Sequence, residues 1–233
     1  MSNNKKRYIV VAIRPWNEKI FKERISKFLG AWKLINDPEA LRYEAIKEFN
    51  PRYIFFIHWS IKVPEEITDN FECVCFHMTD VPYGRGGSPL QNLIIRGHRE
   101  TKITALGMTE DFDAGPIYLK EDLSLEGLAE EIYIRAAELI ADMISEIIKD
   151  EPIPKPQKGT SVIFKRRKPE ESELPVCKSL RELFDFIRML DAEGYPHAFI
   201  KCKGFLFEFS RPSLHHDSIL ADVKIKKIEE TNK

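Results

Sequence analysis

The chain has 233 residues, enough for one sizeable α/β domain with a small appendage and a real buried core. Hydrophobic residues at 43% and charged residues at 31% are ordinary for a soluble globular enzyme. Its 36 basic and 37 acidic side chains leave a formal net charge of −1, which argues against nucleic acid as a partner.

The opening residues, Met1 to Arg7, are polar and carry no signal-peptide core. Nowhere do about 18 apolar residues run on without charge, so no membrane span is expected and a cytoplasmic protein is. Tyr8 to Ile13 is a continuous, largely β-branched apolar run, the pattern of a strand buried on both faces. Arg14-Pro15-Trp16-Asn17 reads as a turn, with Asn17 as N-cap of a helix over 18–29. A second strand is expected over 32–35, then a helix from Asp37-Pro38 to about Phe49. Residues 53–57 and 71–76 read as core strands, and His77 follows the second apolar run. After a turn-rich basic loop, 89–96 reads as a helix stopped by Gly97, and 102–108 as a strand. Asp111-Phe112-Asp113-Ala114-Gly115 is a tight loop leading to a strand over 116–120. A long amphipathic helix is predicted over 128–148.

This alternation predicts an α/β fold for residues 1–149: a Rossmann-like, mostly parallel sheet with helices on both faces. Alternating prolines over 150–160 read as an extended linker. Residues 161–233 are expected to form a small C-terminal α+β extension, with a helix over 179–190 and strands over 198–201 and 205–209. The apolar Phe205, Leu206, Phe207 and Phe209 are read as either core or the contact of a homodimer. Cys73, Cys75, Cys177 and Cys202 show no metal-type spacing, so free thiols and no metal site are expected.

A histidine closing an apolar run, a basic loop, and an acid in a tight loop can together form a reaction centre. The imidazole of His77 can take a proton, while Asp113 can orient the imidazole or move the proton itself. Arg85 can bind a phosphate or carboxylate, or tie down its own loop. Gly86 and Gly87 permit close approach of backbone to ligand, without the spacing of a dinucleotide fingerprint. Trp16 and Asn17 follow the first strand, where open α/β sheets bind ligands.

The segment Phe76-His77-Met78-Thr79-Asp80-Val81-Pro82-Tyr83-Gly84-Arg85-Gly86-Gly87-Ser88-Pro89, followed by Phe112-Asp113-Ala114-Gly115, resembles the two signature segments of the folate-dependent formyltransferases. Phe164 to Glu171, with its Arg166-Arg167-Lys168-Pro169 core, is similar to the motif that opens the family's C-terminal region, and Tyr195-Pro196-His197-Ala198 to a later turn. The wording of the first segment, with Arg14-Pro15-Trp16-Asn17, looks like sugar N-formyltransferases of pseudaminic-acid-type pathways. The resemblance implies 10-formyltetrahydrofolate as formyl donor and a nucleotide-linked amino sugar, UDP-linked, as acceptor. Methionyl-tRNA is the alternative acceptor, and a catalytically silent sugar-nucleotide binder the other reading; the C-terminal region is short for a tRNA-binding module. It further implies catalysis by His77, Asp113 and Thr79, and donor binding by Phe56, His58, Trp59, Val63, Asp111 and Phe112. Trp16, Asn17, Arg85, Gly86 and Gly87 would meet the acceptor. The chain departs from the family at Cys75, which stands where the triad has an Asn two residues before the histidine. A thiol is a weak donor in place of that amide.

Overall fold

The structure is a computed structural model and describes residues 5–228. It comprises two compact units. Of the described residues, the first holds 5–86, 101–123 and 133–163; the second holds 87–100, 124–132 and 164–228.

In chain order the elements are β1 (Arg7–Val11), α1 (Pro15–Glu23), β2 (Ala31–Ile35), α2 (Tyr43–Phe49), β3 (Tyr53–Ile57), α3 (Glu65–Asn70), β4 (Cys73–His77), β5 (Tyr83–Gly86) and α4 (Pro89–Ile95). There follow β6 (Glu100–Gly107), β7 (Ile117–Ser124), α5 (Ala129–Asp150), β8 (Val162–Phe164), α6 (Leu180–Arg188), β9 (Ala198–Cys202), β10 (Phe205–Leu214) and β11 (Ile219–Lys227).

The first unit is built on a six-stranded sheet in the order β2-β1-β3-β4-β6-β7. Strands β2, β1, β3 and β4 are parallel, and β6 runs antiparallel to β4 with Thr104 opposite His77. The Rossmann-like, mostly parallel sheet that the alternating pattern predicts is the fold observed. All five residues of β3 are buried, as in strands covered on both faces. Near the start of β3, Arg52 pairs with Glu72, which also accepts from the Tyr118 hydroxyl at 2.6 Å. His77 lies at the opposite, C-terminal end of the strands.

Several local expectations are corrected. Helix α1 starts at Pro15, whose fixed φ suits the first helical position, so Arg14 is the N-cap. Asn17 is the third helical residue and fully buried, not the cap, and the helix ends at Glu23. Asp37 does cap, accepting from the Glu39 amide at 3.0 Å, but only one 3-10 turn over Pro38–Ala40 follows; α2 begins at Tyr43. The basic loop after His77 contains β5, paired with β8, a strand whose glycines hide it from propensity. The proline-alternating segment is held against β7 by paired backbone hydrogen bonds between Ile117 and Lys155, at 2.7 and 2.8 Å.

The second unit ends in an antiparallel sheet, β11-β10-β9, on which α6 packs. Lys203 and Gly204 both have positive φ, the condition for a tight two-residue hairpin between β9 and β10. The buried Arg188 donates to Asp185 at 2.6 Å and to the carbonyls of Leu125 and Gly127, which satisfies most of a charge that would be costly alone. Among the described residues, no helix is long and apolar enough to cross a membrane.

Candidate active site

His77 is the last residue of β4, and its ring is nearly enclosed. Nε2 lies 2.8 Å from the Gly84 carbonyl oxygen. A carbonyl can only accept, so Nε2 carries a hydrogen and donates it there. The other ring nitrogen, Nδ1, is 3.4 Å from Asp113 Oδ1. Nδ1 is thus the ring nitrogen left to accept a proton, and it faces the Asp113 carboxylate.

Asp113 sits at φ +53, a left-handed conformation that Asp adopts more readily than most residues. Its Oδ2 accepts from the Gly86 amide at 2.9 Å. The Asp113 and Gly115 carbonyls each accept from Gln157 Nε2 at 2.8 Å. Gln157 Oε1 accepts from Arg85 Nε and Nη2, at 3.1 and 2.7 Å. Arg85 is thus tied to the loop that carries Asp113. Thr79 spends its hydroxyl hydrogen on the Gly84 carbonyl at 3.3 Å. The Cys75 thiol is pushed up by burial and then by the charge of Asp113, so it stays protonated.

A second group of polar atoms lies in the same unit, after β1 and β3. His58, at φ +48, follows β3. Asn17 Nδ2 faces the Ile57 carbonyl at 3.4 Å and His58 Nδ1 at 3.3 Å. Trp16 stacks on Tyr133, with centroids 5.4 Å apart, and His58 meets the same ring edge-on at 5.3 Å. Burial, then the charges of Arg14 and His77, hold the His58 imidazole down at a pKa of about 4, so it is neutral near pH 7. Trp16 Nε1, Asn17 Oδ1, His58 Nε2 and Trp59 Nε1 are buried without a hydrogen-bond partner. Unsatisfied polar atoms are costly in a closed core and suit a site that a ligand completes.

The other expected residues distribute unevenly. Phe56 and Val63 are buried in the apolar core beside β1 and β3, with Trp59 and Cys75 packed against it. Asp111 is exposed, and Phe112 is 73% exposed. Gly87 belongs to the second unit and lies against the Arg166 backbone, so closely that a Cβ would fall 2.5 Å from its Cα. Two residues escaped the sequence reading: Gln157, inside a stretch with linker composition, and Tyr133, on an ordinary helix face. Neither carries a local signal.

Comparison with known proteins places the chain in one neighbourhood. The family model described as methionyl-tRNA formyltransferase, C-terminal domain, matches residues 169–226. The chain is 47% identical to a solved structure, methionyl-tRNA formyltransferase from Clostridium thermocellum, with a TM-score of 0.90 over 95% of this chain and 99% of that one. It is 28% identical over 151 residues to the methionyl-tRNA formyltransferase of Thermodesulfovibrio yellowstonii, covering 61% of this chain and 49% of that protein. The chain thus spans about half the length of this curated relative. A sugar N-formyltransferase from a Shewanella species shares the fold, at 16% identity and a TM-score of 0.63 over 85% of this chain and 93% of that one. Identity is higher with the proteins named for methionyl-tRNA than with this sugar enzyme, the reverse of the order that the motif wording suggests.

Proposed function

We propose that this chain, which belongs to the formyltransferase family, moves a formyl group from 10-formyltetrahydrofolate to a primary amine. The observation that carries this reading is the His77–Asp113 pair, held by Gly84 on one side and by Gly86 and Gln157 on the other. The unpartnered atoms of Trp16, Asn17 and Trp59 fit a donor with a polar heterocyclic edge, and these residues would hold it.

Transfer begins with a neutral amine, whose nitrogen lone pair attacks the formyl carbon while the carbonyl π pair moves to oxygen. His77 Nδ1 and Asp113 together take the proton that the amine nitrogen loses. They return one to the donor nitrogen as its bond to the formyl carbon breaks, so the pair ends as it began. The net change replaces an amine N–H with N–CHO and leaves tetrahydrofolate. Positioned proton transfer of this kind contributes on the order of a hundred- to ten-thousandfold in rate.

For the acceptor, the names of the relatives support the aminoacyl end of methionyl-tRNA. A nucleotide-linked amino sugar is the second reading, favoured by the formal net charge of −1, since proteins that hold phosphate backbones usually carry a basic excess. Incubation with 10-formyltetrahydrofolate and either methionyl-tRNA or UDP-linked amino sugars, read by mass spectrometry, separates the two. Formyl-methionyl-tRNA, with binding that weakens steeply with salt, is the expected product; formylation of the sugar alone would overturn the tRNA reading.

A further inference from the structure

Strands β3 and β4 are parallel, with Phe56 opposite Cys75 and Ile57 opposite Phe76. His58 directly follows the last paired residue of β3, where the chain turns away at φ +48, and His77 directly follows the last paired residue of β4. Side chains alternate faces along a strand, so Cys75 and His77 share one face; the His58 ring, at the neighbouring strand's end, is close enough to feel the charge of His77.

The hydrogen-bond partners of His58 determine where its proton sits. The Ile57 carbonyl can only accept, so the Asn17 side-chain atom facing it is the NH2 group. That same NH2 faces His58 Nδ1, which must then accept. The hydrogen of the neutral ring therefore sits on Nε2, which is buried and has no partner. The nearby donors are mostly committed elsewhere. His77 Nε2 and the Thr79 hydroxyl both point at the Gly84 carbonyl, and Arg85 is bound to Gln157. Cys75 offers only a thiol. The indoles of Trp16 and Trp59 are unpartnered too, but Trp16 is stacked on Tyr133 and Trp59 packs edge-on to Phe56.

We infer that the Nε2–H of His58 is a catalytic hydrogen-bond donor that receives the formyl oxygen and the negative charge it gains as the amine attacks. Asn17 is the positioning residue that keeps the hydrogen on Nε2. The donor keeps its proton throughout; the charge on oxygen returns to the carbonyl when the bond to the departing nitrogen breaks. A neutral donor suits this task because it adds no cation beside His77 when His77 carries its proton. The inference rests on the formyl-transfer reading.

The test compares wild type, His58→Leu, His58→Gln and the double variant His58→Leu with Cys75→Asn. Turnover is measured with 10-formyltetrahydrofolate and whichever of methionyl-tRNA or a UDP-linked amino sugar the wild type formylates. Tetrahydrofolate binding is read separately by tryptophan fluorescence, and the His58 tautomer by long-range 1H–15N NMR. His58→Leu should lose about a hundredfold or more in kcat, the scale of one oxyanion donor, with tetrahydrofolate affinity little changed. His58→Gln, which keeps an N–H donor, should stay within about tenfold of wild type. Cys75→Asn places an amide on the face of His77 and should restore at least about tenfold to His58→Leu. The wild-type ring should show hydrogen on Nε2.

Near-normal kcat in folded His58→Leu, or a loss confined to KM and tetrahydrofolate affinity, would overturn the inference. So would a hydrogen found on Nδ1, a result that needs no variant to fold. A wild type that formylates neither acceptor overturns the transfer reading and this inference with it. An active wild type with an equally active His58→Leu overturns this inference alone.

Discussion

Burial of the His58 ring, with the charges of Arg14 and His77, holds its folded pKa at about 4, against 6.5 for the free group. An unfolded chain would bind a proton at His58 between these values while the folded one does not. Stability therefore falls as pH drops from about 6.5 towards 4, and the full contribution is retained above that window. The effect is at most about 3.5 kcal/mol, from roughly 1.4 kcal/mol per pKa unit. Urea unfolding of wild type and His58→Gln at pH 7 and pH 4.5 should show a smaller acid loss in the variant; equal losses would mean that His58 is not held neutral. At this scale the meeting of His77 with Asp113 was legible, because each sits in a distinctive local motif. Asn17 was noticed but misread as a cap, since Pro15 two residues earlier already starts the helix. Its actual partners, Ile57 and His58, lie about forty residues away, beyond any local pattern.

The loop between β6 and β7 shows how elements position a single carboxylate. Gly115 packs so tightly that an added Cβ would lie 1.8 Å from the Gly107 carbonyl oxygen. Real side chains do not tolerate such an approach to backbone, so Gly115→Ala must shift the loop that carries Asp113. Formyl transfer should fall by about tenfold or more, since misplacement by about 1 Å can be worth a hundredfold, while circular dichroism stays native. An Ala variant with wild-type turnover would show that the loop position is not critical. The strand-helix alternation of the first unit was legible from buried apolar runs such as 53–57. Strand β5 was not, because Tyr83-Gly84-Arg85-Gly86 has turn composition and becomes a strand only by pairing with β8. The segment over 150–160 read as a spacer, yet it supplies Gln157 to the Asp113 loop and pairs at Lys155 with Ile117.

For the whole molecule, the sheet order, the His77–Asp113 pair and the 47% identity to a methionyl-tRNA formyltransferase structure support one activity. Composition bounded the fold class but spoke weakly on the acceptor, because a net charge of −1 does not report where the charges lie. The most direct measurement is single-turnover formyl transfer from 10-formyltetrahydrofolate, with the formylated amine quantified by mass spectrometry for wild type, His77→Asn and Asp113→Asn. Wild type should yield the formyl-amine, and each variant should bind tetrahydrofolate but lose about a hundredfold or more in rate. A wild type that yields no formyl-amine, or a folded His77→Asn that transfers at the wild-type rate, would contradict the account.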